Sequence, residues 1–164
     1  MITNEGIMKD QSVIHSTFVI ERSYSATPER VFAAFADPKQ KRRWFAEGEG
    51  HEVEEYSMDF RDGGKEFARF RLGDRTPLKG MEVINDTTYQ NIVANRRVVL
   101  ASTMSIGGKC ISASLVTLEL LGTDSGTDLI CTHQGAFFEG ADGPAMREGG
   151  WRKLFDRLAA ELAS

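Results

Sequence analysis

Cysteine is scarce in this chain: two residues, Cys110 and Cys131, in 164. If 110–121 and 128–137 pair as a hairpin, Cys131 falls opposite Leu118 and Cys110 lies about eight positions along, roughly 25 Å at the strand rise. A disulfide needs Cα atoms closer than about 7 Å, so two free thiols are expected, and these suit a reducing compartment. No apolar run approaches the ~20 residues of a membrane helix. The opening "MITNEGIMKDQS" lacks the apolar stretch of a signal peptide. The cytoplasm is therefore the expected location, with residues 1–14 a flexible leader and 15–164 a single domain. A basic excess is also missing, with 20 Lys and Arg against 24 Asp and Glu, which argues against nucleic acid as a partner. The three histidines, His15, His51 and His133, lie far apart without metal-ligand spacing, so no metal is expected. No strand–glycine-loop–helix phosphate cradle is present, and no cofactor is expected.

What the chain does contain is pattern. "HSTFVIERSYS" (15–25) is rich in β-branched and aromatic residues and reads as a strand. In "ATPERVFAAFADPKQKRRWF", Thr27 caps a helix and Pro28 fits its first turn. Asp37-Pro38 stops that helix and starts a second short one ending near Trp44. From Gly50 to Phe138 the period becomes strand-like. Six segments, the third being "LKGMEVINDTTYQNIV" (78–93), are separated by "RDGG", residues 73–77, "AN", "IGGK" and "GTDSG", and short turns between consecutive strands make the sheet antiparallel. Residues 145–164 read as a long helix, with Trp151, Leu154, Phe155, Leu158 and Leu162 on one apolar face. Arg152, Lys153, Asp156, Arg157 and Glu161 take the other positions. The fold class is α+β, a curved antiparallel sheet around a long C-terminal helix.

A curved sheet of six or seven strands over one helix is hard to fill with its own side chains. Alternation in "CISASLVTLELL" turns Ser112, Ser114, Val116 and Leu118 inward, and Cys131 and His133 share a face on the next strand. A four-residue loop at 123–126 sets Val116 opposite His133. A three-residue turn with a bulge at 107–109 sets Met104 against Ser112 and Ser102 against Ser114, whereas a two-residue turn there reverses that face. The expected inner face thus carries Ser102, Ser112, Ser114, Cys131 and His133, small or polar where a solid core wants Leu or Phe, with Met104 beside Ser112 on the cavity wall. Either water and a ligand occupy the gap, or Phe60, Phe67, Tyr89, Trp151 and Phe155 reach across it. Gly149 and Gly150 mark either a close approach or soft entrance at the helix start, or a helix that begins only after them.

No catalytic residue is assigned. His133 is the one weak candidate, and its plainer readings are a cavity histidine bonded to a neighbour, a ligand contact, or a surface residue if the parity is reversed. Asp59, Arg61 and Asp62 read as a surface ion-pair group, worth under about 1 kcal/mol, in preference to a cavity rim. "EGEGHEVEE" (47–55) reads as a solvated strand edge, "KQKRR" (39–43) as a solvated face, and Trp44 as core or cavity lip.

Taken in order, "ATPERVFAAFADPKQKRRWF", "DFRDGGKEF", "YQNIVANRRVVLASTM", "ISASLVTLEL", "GTDLICTHQGAFFEGAD" and "REGGWRKLFDRLAAEL" resemble the START-like (SRPBCC) superfamily. The branch is that of heat-shock protein 90 ATPase activator homologues, and the likeness spans residues 16–163. The resemblance implies a helix-grip, birch-pollen-allergen-like fold with a cavity between sheet and helix. It implies a hydrophobic or amphipathic small molecule as partner, with a chaperone reached through a surface as an alternative. A cyclase- or hydrolase-type enzyme using His133 is a further one, since such relatives include polyketide cyclases. Monomer and homodimer both stay open. Sequences of this type often read Thr-Glu-Gln-Gly where this chain has "THQG", so His133 stands at the glutamate position.

Overall fold

The structure is a computed structural model describing residues 12–164. Residues 1–11 of the expected leader lie outside the described residues, and the first strand begins at Ile14, one position before the expected domain start. The elements are β1 (Ile14–Tyr24), α1 (Pro28–Ala36), α2 (Pro38–Lys41) running into a π-helical turn (Arg42–Ala46), β2 (His51–Met58), β3 (Lys65–Leu72), β4 (Glu82–Val93), β5 (Arg97–Ile106), β6 (Lys109–Thr123), β7 (Gly126–Phe137) and α3 (Pro144–Ala163). Among the described residues seven strands form one antiparallel sheet in the order β1-β7-β6-β5-β4-β3-β2.

The caps form where the residue types require them. Thr27 accepts a hydrogen bond from the Arg30 N–H at 3.2 Å, and Asp37 accepts from Lys39 N–H at 3.0 Å, each satisfying an open helix-end donor. The π turn places Glu47 N–H on Arg42 C=O at 2.9 Å. Trp44 is turned into the core, where its indole N–H donates to Ala34 C=O at 2.8 Å.

Two turns differ from expectation while the register does not. β6 and β7 join through two residues, Asp124-Ser125, with Thr123 opposite Gly126, yet Leu118 still faces Cys131 and Val116 still faces His133. The 107–109 turn is also a two-residue one, with Gly107 and Gly108 at φ 58° and 82°, conformations that glycine adopts freely. That should reverse the β6 face. A bulge between the Met104–Ser112 and Ser105–Cys110 pairs inserts Ile111 and restores it.

Solid core lies under the second half of α3, where Phe155 and Leu158 pack with Phe18, Phe35, Trp44 and Leu129. The first half of α3 is different. It is already helical through Gly149 and Gly150, and a Cβ built on either meets nothing within 4 Å. The helix therefore does not begin after them, and neither marks a close approach to the sheet. Gly149→Ala is expected to raise the unfolding free energy by about 0.5–1 kcal/mol, read by denaturant melts. A loss of stability would show that the helix is bent or opened there.

The polar helix face needs one correction. Glu161 is buried, bonded to the Arg43 guanidinium. It sits three residues after Leu158 and seven after Leu154, on the apolar side. Among the described residues no helix is long and apolar enough to cross a membrane.

Candidate functional site

Strand pairing lays the inner face out in lateral rows. One row runs His133, Val116, Leu100, Tyr89 across β7, β6, β5 and β4. The next runs Gly135, Ser114, Ser102, Thr87, Glu66, ending on β3. A third runs Phe137, Ser112, Met104, Asn85, Ala68. The first row is mostly apolar, and the second is a stripe of hydroxyls ending in a carboxylate. Thr87 Oγ1 and Ser102 Oγ are hydrogen-bonded at 3.0 Å.

Between this stripe and the first half of α3 lies a cavity of about 320 Å³, within the range of small-molecule pockets. Ser102, Met104, Ser112, Ser114, His133 and Trp151 line it. Of the other expected residues, Phe60, Tyr89, Cys131 and Phe155 belong to the packed core rather than the cavity wall. Phe67 is on the opposite face of the sheet, beside the Arg69 guanidinium at 5.7 Å, because its neighbours Glu66 and Ala68 point inward. Burial pushes the Cys131 thiol up to about 12, so it is an inert core thiol.

At the β3 end of the cavity sits a charge pair that the sequence reading did not find. Lys41 and Glu66 are each 3% exposed, with Lys41 Nζ 3.1 Å from Glu66 Oε2. The hydroxyls of Tyr56 and Tyr89 also donate to this carboxylate, the latter at 3.1 Å. Burial first, and the Glu66 charge second, hold both phenols above their ordinary pKa, so they remain donors. The ammonium rests over the Phe45 ring, 4.5 Å from its centroid, with Trp44 and Phe35 beyond. The "KQKRR" segment is therefore not wholly a solvated face.

At the other end Arg147 bridges Asp142 through two bonds, Nε at 2.9 Å and Nη2 at 2.8 Å. Nη2 also donates to Ser112 Oγ at 2.9 Å. Arg147 is buried over the Phe137 ring.

His133 is 1% exposed, stacked on Phe18 at 4.5 Å with near-parallel planes and set edge-on to Trp151. Gly135 keeps this space open, since a Cβ there would lie 2.9 Å from both the His133 and Phe137 rings. Nδ1 of His133 and Oγ of Ser114 are buried without a hydrogen-bond partner among the described residues. Burial first, then the Arg147 charge, lower the imidazole pKa to about 4. The ring is therefore neutral at pH 7. No carboxylate bonds it, and a base working near neutrality wants a pKa near the ambient pH.

One pH dependence follows. The unfolded chain protonates this histidine near 6.5, whereas the folded chain resists until about 4. The contribution of this residue to stability is therefore expected to fall as pH drops through that window and to level off below it. His133→Leu should remove this part of the fall. Parallel pH–stability curves for the two proteins would show that the ring is hydrated when folded.

Asp59 and Arg61 form an exposed pair at 2.7 Å, and Asp62 accepts from the Ile92 N–H. β2, which carries most of "EGEGHEVEE", is an edge strand whose Glu54 and Glu55 pair with Arg71 and Arg69. Among the described residues no three His, Cys, Asp or Glu side chains are grouped as metal ligands.

The family described as "Activator of Hsp90 ATPase homolog 1-like protein" matches residues 25–163. The chain is similar to a solved protein from Rhizobium loti at 49% identity, covering 92% of this chain and 99% of that one with a TM-score of 0.82. A second, from Rhizobium leguminosarum, is 35% identical over 93% of this chain and 97% of that one, TM-score 0.86. An NMR structure from Aeromonas hydrophila, 18% identical over 90% of this chain and 92% of that one, TM-score 0.65, shares the fold. No protein of curated function matches the chain.

Proposed function

The chain belongs to the Activator of Hsp90 ATPase homolog 1-like family, and on that premise we propose that it binds a hydrophobic or amphipathic small molecule between its sheet and α3. Its cytoplasmic setting is part of the same proposal and suits the free thiols Cys110 and Cys131. The supporting observation is the pair of buried polar atoms, His133 Nδ1 and Ser114 Oγ, that lack partners among the described residues beside a cavity of about 320 Å³. Buried polar groups are nearly always satisfied, and a ligand or water in the cavity supplies the missing partner. Apolar walls such as Leu100, Val116 and Trp151 would supply affinity at about 25 cal/mol per Å² buried.

The test is thermal unfolding against a panel of apolar, ring-sized compounds. A true ligand at a hundredfold excess over Kd stabilises by about 2.7 kcal/mol, a shift of roughly 5–10 °C for a chain this size. His133→Leu is expected to reorder the panel. No shift from any compound would remove the proposal. A chaperone-cofactor role would use an outer face, and a pull-down against the cell's own chaperone decides it.

A further inference from the structure

Among the described residues, every formal charge that lines the cavity is already matched by another. Lys41 faces Glu66 at 3.1 Å at one end, and Arg147 faces Asp142 at 2.8 Å at the other. Three donors converge on Glu66, and Arg147 holds Asp142 through two bonds. A ligand carboxylate brought to Arg147 would meet Asp142, and a ligand ammonium brought to Glu66 would meet Lys41. Either ion would be buried without an unspent counter-charge, which costs several kcal/mol. What remains unspent is neutral: the hydroxyl of Ser114, the Ser102–Thr87 hydroxyl pair beside it, and one nitrogen of an uncharged imidazole. Hydroxyls both donate and accept, so this stripe matches an alcohol or carbonyl edge.

Resting on the binding role proposed above, we infer that the cavity selects uncharged molecules that carry a hydroxyl or carbonyl along one edge, and that its two internal ion pairs exclude both anions and cations. The ion pairs thus set specificity by repulsion as well as holding the walls.

Four probes of one shape test this at pH 7 by calorimetric titration: naphthalene, 2-naphthol, 2-naphthoate and 2-naphthylmethylammonium. 2-Naphthol is expected to bind at least about tenfold tighter than either ion, and tighter than naphthalene. An ion that binds as well as 2-naphthol overturns the charge selectivity and leaves a ligand-binding cavity standing. Naphthalene binding as well as 2-naphthol overturns the polar-edge part. Saturable binding by none of the four overturns the binding role itself.

Glu66→Gln sharpens the test by leaving the Lys41 ammonium without its counter-charge. The affinity ratio of 2-naphthoate to 2-naphthol should rise by about tenfold. If that variant does not fold, Asp142→Asn, at the more exposed pair, is expected to shift the ratio in the same direction. An unchanged ratio in the folded variant overturns the inference.

Discussion

Lys41→Met is expected to lower the unfolding free energy by about 3–5 kcal/mol, because it strands the Glu66 carboxylate in the interior. For a chain of this length that is a fall in melting temperature of roughly 10 °C. The methionine keeps most of the lysine's apolar stem against Phe45 and Trp44, so packing loss is small and the change reports mainly on charge. Tyr56 and Tyr89 still donate to Glu66, but they carry no positive charge. Lys41→Met combined with Glu66→Leu should recover part of the loss, since the stranded ion is gone while two phenols lose an acceptor. Non-additivity of that kind identifies a coupled pair. If Lys41→Met costs under about 1 kcal/mol, water in the cavity already screens the pair, as it does at a surface.

Ser114→Leu separates a hollow interior from a filled one by the sign of its effect. In a packed core the added carbons force neighbours off their rotamers and destabilise by about 1–3 kcal/mol. Ser114 instead faces open volume, and its hydroxyl is buried without a partner among the described residues. The leucine should therefore bury apolar surface and remove an unsatisfied group, stabilising the protein by about 1–2 kcal/mol. The same side chain should lower the affinity for 2-naphthol by at least about thirtyfold, because it occupies the middle of the polar stripe. Denaturant melts and a titration on one preparation read both effects. A destabilised variant that still binds would mean that the cavity lies elsewhere.

Most of the fold was legible because strand and helix periods are local. Thr27-Pro28 and Asp37-Pro38 mark helix starts by chemistry that does not depend on the rest of the chain. The β5–β6 register was reached through a turn the chain does not use. Gly107-Gly108 makes a two-residue turn, and Ile111 compensates as a bulge, which no local pattern around "IGGK" announces. The charged half of the site was less legible, for two different reasons. Glu66 was readable in principle: in "KEFARFRL" it shares a face with Ala68 and Phe70, so alternation alone puts it inside. Only its charge argues for the solvent side. Lys41 was not readable. It lies in a run of five polar residues, and the π turn that follows it helps set its ammonium among three aromatic rings. Phe67 shows the converse, an aromatic whose size suggested the interior and whose parity puts it outside.

The binding role rests on where a ligand goes. Methyl NMR during a 2-naphthol titration tests that directly, using Leu100, Met104, Val116 and Leu118 as reporters on the cavity wall. Val19, Leu115 and Leu121, among the exposed apolar side chains, are the outer reporters. Saturable shifts confined to the first group are the predicted result. Shifts confined to the outer group, with the cavity methyls unmoved, would contradict it.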